Sequence, residues 1–118
     1  MKTKEAIMAF SQSEKIKAGL IWISQVLELL SSLPENERKG GDRMANALIN
    51  MVCHEVNLAR AVVGGDQWNG IESLLDKAGI MVQSGVGHEA MIHISKALSN
   101  VTSIGQRSMS YLKEESLL

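Results

Sequence analysis

Ile16, Leu20, Ile23, Leu27 and Leu30 follow one another at steps of four, three, four and three. That period lines up side chains on one side of an α-helix and on neither face of a strand. Trp22, Val26, Leu29 and Leu33 widen the stripe well beyond a narrow seam. Pro34, the only proline in the chain, stops the pattern, and Ser11-Gln-Ser-Glu14 ahead of it has the spacing of a capping box. A helix over residues 11–33 is therefore expected. Residues 1–10, with Ile7, Met8 and Phe10, are expected to form a short extra helix or a frayed arm.

The period recurs three more times. Asp42 is a good N-cap and Gly64-Gly65 a good stop, which predicts a second helix over 42–63. Its inward line reads Met44, Leu48, Met51, Glu55, Leu58 and Val62. A third helix, 67–83, turns Trp68, Ile71, Leu75, Ala78 and Val82 inward, and a fourth, 88–114, does the same with Met91, Ile94, Leu98, Val101, Gly105 and Leu112. Aromatic residues make up only 3% of the chain, which leaves too few for a sheet. Short connectors join antiparallel neighbours, so the 118 residues are expected to form one all-α domain, an antiparallel up-down-up-down four-helix bundle. The alternative is a bundle completed across a dimer by long hairpins.

Charge and cysteine usage narrow the function. Twelve Lys+Arg balance 13 Asp+Glu, so no basic face is forced and neither nucleic acid nor a membrane surface is an expected partner. A single cysteine offers neither an internal disulfide nor a zinc-ligand pair, which points to the reducing cytoplasm. The opening MKTKEAIMAF holds too short an apolar run for a signal peptide, and no later run is long enough to span a bilayer.

Two His-Glu pairs, His54-Glu55 and His88-Glu89, suggest chemistry, but adjacent residues on a helix do not share a face. Glu55 is expected at a buried polar position facing the core, where it needs a cation; Arg43, Lys17, Lys77, His88 and Arg107 are the candidates. His88 and His93 stand five apart, about 140° around a helix, so they cannot share one ion. No catalytic set converges, and no metal or cofactor is expected.

His93 with Lys96 is the best phosphoacceptor candidate. The stretch HISKALS resembles the His-x-x-Lys-Gly core of histidine phosphotransfer domains, with Ala97 in place of the glycine. HEVNLA, starting at His54, resembles the H-box of histidine-kinase dimerisation helices, without the proline that follows it there. These resemblances imply phosphorelay through His93 or His54.

The second helix also carries Asn46, Asn50, His54 and Asn57 on the side opposite its expected core line. Asparagine is a poor helix former, so such a stripe suits contact with another protein better than open solvent. Trp22 and Leu29 exceed what one core-facing stripe requires. The leading expectation is a non-enzymatic interaction module, adaptor or chaperone-like, that associates with itself or with a protein partner.

Overall fold

The computed structural model describes residues 2–117. Four α-helices run in sequence: α1 (Thr3–Leu30), α2 (Glu35–Val63), α3 (Asn69–Gln83) and α4 (Gly87–Glu114), with a 3-10 turn at Asp66–Trp68 before α3. Each packs on its sequence neighbours and α4 closes back onto α1, so the described residues form a four-helix bundle, 55 × 22 × 17 Å.

The core follows the sequence period in three of the four helices. Ile16, Leu20, Ile23, Leu27 and Leu30 of α1 are buried, as are Trp68 and, on α3, Ile71, Leu75, Ala78 and Val82. On α4, Ile94, Val101, Gly105 and Leu112 are buried, with Met91 and Leu98 half-buried at the edges. The Trp68 indole is enclosed and donates to the Gly64 carbonyl at 3.2 Å, which ties the α2–α3 turn to the core. The α3–α4 connection is a Schellman turn. Val86 N–H donates to Met81 O, Gly85 N–H donates to Val82 O, and Gly85 takes the left-handed φ of 80° that this motif requires.

Two helix starts differ from expectation. The first helix begins at Thr3, so Ser11 lies inside it and caps nothing, and residues 3–10 are neither a separate helix nor an arm. The second begins directly after Pro34, which occupies its N-cap, and not at Asp42. Glu35 and Glu37 in its first turn complement the positive end of the helix dipole. Gly40-Gly41 is consequently helical. A Cβ on Gly41 would stand 2.5 Å from Leu30 Cδ2, so the glycine lets α2 begin close against the end of α1.

The larger correction concerns which side of α2 faces the bundle. Ala45, Ile49, Val52, Val56 and Ala59 are buried, whereas Met44, Met51, Leu58 and Val62 are exposed. The helix is turned by about one residue, roughly 100°, from the expected orientation. Small and β-branched residues line the inside because α1 comes very close. A Cβ on Gly19 would meet Val52 Cγ2 at 2.6 Å.

Candidate functional site

With its core line on the other side, α2 is left with a second seven-residue pattern. The inner line is Ala45, Ile49, Val52, Val56, Ala59 and Val63, at steps of four, three, four, three and four. The outer line is Gly40, Met44, Ala47, Met51, His54, Leu58 and Ala61, also at alternating steps of four and three, and all seven residues are exposed. At 100° per residue the two lines lie about 150° apart, so α2 is apolar on both sides. In the outer line only His54 is polar.

Helix α1 extends this surface. Its α2-facing flank is marked by Gly19 against Val52 and by Gln12 and Lys15 against Glu55. Trp22 and Leu29 stand beside that flank on the outer side, and the antiparallel register set by Gly19 and Val52 brings Trp22 level with Leu48 and Met51. Trp22 is 58% exposed, Leu29 64%, Met44 75% and Met51 63%. The other exposed large apolar residues on α3 and α4, Ile80 and Ile92, stand singly. From Gly40 to Val63, the last residue of α2, the face runs about 35 Å at 1.5 Å per residue, and two packed helices are about 20 Å across, giving a footprint of roughly 700 Å².

Glu55 does not lie in the core. Its side chain is 38% exposed at the α1–α2 edge, paired with Lys15 at 3.4 Å, while Gln12 Nε2 donates to its backbone carbonyl at 3.4 Å. None of the five cations expected near it is its partner. A half-turned helix needs no buried charge: rotating α2 moves Glu55 from the centre of the inner arc to its rim, where one lysine and water satisfy it.

The asparagine stripe divides. Asn46 is turned toward α3, with its Oδ1 3.4 Å from where a Cβ on Gly79 would stand. Asn50, His54 and Asn57 are exposed, and Asn57 accepts from Arg60, which also reaches Asn69 and pairs with Glu72 of α3. Cys53 packs half-buried against the core in the α2–α3 groove beside Leu75, Asp76 and Gly79. Burial pushes its thiol up from 9.0 to about 11, with the charges of Asp76 and Glu72 adding to the shift. Such a thiol is a poor nucleophile at neutral pH.

On α4, His93 is half-buried, and its Nδ1 is enclosed with no hydrogen-bond partner. A reactive imidazole is normally oriented by a hydrogen bond on its second nitrogen, which His93 lacks. Lys96 and Glu89 are exposed. His88 lines a cavity of about 230 Å³ at one end of the bundle with Leu27, Arg38 and Asp42, on a different side of α4 from His93. Among the described residues, no three His, Cys, Asp or Glu side chains converge as a metal site, and no helix is long and apolar enough to cross a membrane.

No protein-family model matches this chain, nor does any curated protein or solved structure.

Proposed function

We propose that this chain is a non-enzymatic protein-interaction module, a helical adaptor that works through the α1–α2 face and associates with itself. The observation that carries this reading is the exposed outer line of α2, in which Met44, Met51 and Leu58 repeat at coiled-coil spacing on the side away from the core. Solvent-facing helix positions ordinarily hold Lys, Glu or Gln, and a repeated apolar residue there costs solubility unless something covers it. Trp22 and Leu29 add the kind of large apolar anchors that dominate interface energetics. Asn50 and Asn57 on the α3 side of the face resemble the hydrated rim that surrounds such a core, and the Lys15–Glu55 pair bridges the two helices within it.

Sedimentation velocity across a wide concentration range tests this. The expected result is reversible self-association that Met44→Glu together with Met51→Glu converts to a monomer with unchanged far-UV circular dichroism. Both positions are solvent-facing within the subunit, so the substitutions leave the bundle intact. A wild-type chain that stays monomeric at hundreds of micromolar, or an oligomer indifferent to both charges, would overturn the proposal.

A further inference from the structure

The outer line of α2 also specifies how a second copy would sit on it. Its residues fall into two sets: Gly40, Ala47 and Ala61, which are small, with His54 among them, and Met44, Met51 and Leu58, which are large. In a parallel pair, like positions meet. Methionine would then face methionine in one layer and alanine would face alanine in the next, which crowds the first and leaves the second void. In an antiparallel pair, each position of one set meets a position of the other set, so large packs against small wherever Met44 meets Ala61 and Ala47 meets Leu58.

We infer that α2 pairs antiparallel with α2 of a second copy of this chain, about a two-fold axis passing between Met51 and His54. This rests on the self-associating reading above and gives it a geometry. Met44 then packs against Ala61 of the second copy, Ala47 against Leu58 of the second copy, and Met51 against His54 of the second copy. Gly40 marks one end of the contact and the α2 stop at Gly64 the other. The register uses the whole outer line, which a slip by one heptad would not, and it sets the one polar position of the line, His54, beside the axis. A polar residue at a single layer is a device by which helix pairs fix their register, because a slip would bury it against the wrong neighbour.

The area agrees. An α1–α2 footprint of roughly 700 Å² per subunit is of the same order as the roughly 800 Å² that each partner buries in a standard stable interface. Trp22 and Leu29 flank the paired α2 helices, so each subunit's α1 covers the side of the seam on which Met44, Met51 and Leu58 lean. The pairing is isologous, since the same surface serves both copies, and it closes at two subunits.

Disulfide trapping in a Cys53→Ser background reads the geometry directly. Within one chain Ala47 and Leu58 stand about 16 Å apart along the helix axis, too far for a disulfide. The double variant Ala47→Cys, Leu58→Cys is expected to form a covalent dimer under mild oxidation, while each single variant forms little. A covalent dimer from Ala47→Cys alone would mean parallel pairing and would overturn the inference while leaving self-association standing. An oligomer that traps in none of these variants would mean that another surface is used, and would overturn it as well. A wild-type chain found monomeric by sedimentation would remove both the inference and the function it rests on.

Discussion

Adding one methyl group to two helical glycines should change stability in opposite directions. Gly19 and Gly40 both lie inside helices, where alanine is intrinsically better by about 0.5–1 kcal/mol because it loses less backbone entropy. Around Gly40 nothing lies within 4 Å of the added Cβ, so Gly40→Ala keeps that gain and should stabilise the fold by about 0.5–1 kcal/mol. At Gly19 the same atom would stand 2.6 Å from Val52 Cγ2, more than about 1 Å inside the contact distance of two carbons. Val52 has little freedom to yield, since a β-branched side chain in a helix is held to essentially one rotamer. The α1–α2 pair must separate instead. Overpacking of this kind costs about 1–3 kcal/mol, so the net effect of Gly19→Ala should be a loss of about 1–2 kcal/mol. Urea unfolding followed by far-UV circular dichroism, at one protein concentration, measures both variants against wild type. Truncating Val52 in the Gly19→Ala background supplies the control: the double variant should lose less than the sum of the singles by about 1 kcal/mol or more. Should Gly19→Ala stabilise the protein as Gly40→Ala does, the close approach of α1 and α2 described above would be wrong, and with it the reason that α2 turns its small residues inward.

Three further outcomes follow from the cysteine and histidine environments. Cys53, with its thiol raised from 9.0 to about 11, should hold about a hundredfold less thiolate at neutral pH than an unfolded chain, so alkylation by iodoacetamide should be correspondingly slow until denaturant is added. The same shift makes the folded state lose stability as pH climbs from 9 toward 11, because the unfolded chain releases this proton first; a Cys53→Ser variant should lack that component. Incubation with acetyl phosphate should yield no acid-labile phosphohistidine, since His93 has no hydrogen bond to orient its ring; labelling abolished by His93→Gln would refute this.

The four helices and the cores of α1 and α3 were legible because each of those helices carries one dominant apolar line and turn residues at its end. Helix starts were less legible. Ser11 and Asp42 look like caps, but capping is worth only about a kilocalorie per mole, and in each case packing continues the helix past it. Residues 3–10 bury Ala6 and Ala9, and residues 35–41 bring Gly41 against Leu30 and Leu33. A local signal of that size does not decide where a helix begins once its next turn has something to pack on.

The orientation of α2 was the reading that mattered most for function, and its failure is instructive. The helix carries two lines of the same period: the inner one, Ala45, Ile49, Val52, Val56, Ala59 and Val63, is apolar throughout, whereas the outer one holds the larger side chains. Met44, Met51 and Leu58 are more apolar in bulk than Ala45 and Ala59, so a sequence-based choice places the larger side chains inside. The decision is made by a residue on another helix. Gly19 lets α1 approach so closely that the facing line must be small or β-branched, which selects Ala45, Val52, Val56 and Ala59 and expels the methionines. The α2 sequence held a signal for this in the charge of Glu55, which interrupts the expected line and not the buried one, but the reason for small residues is interhelical distance and lies on α1. The same step moves Glu55 to the rim beside Lys15, divides the asparagines and leaves a coiled-coil line facing outward. What read as one core with an unexplained buried carboxylate becomes two apolar lines, one filled by the bundle and one free to meet a second molecule. A helix with two such lines is therefore a place where the choice of core and the choice of interface are a single question, answered by whichever line the nearest neighbour has room for.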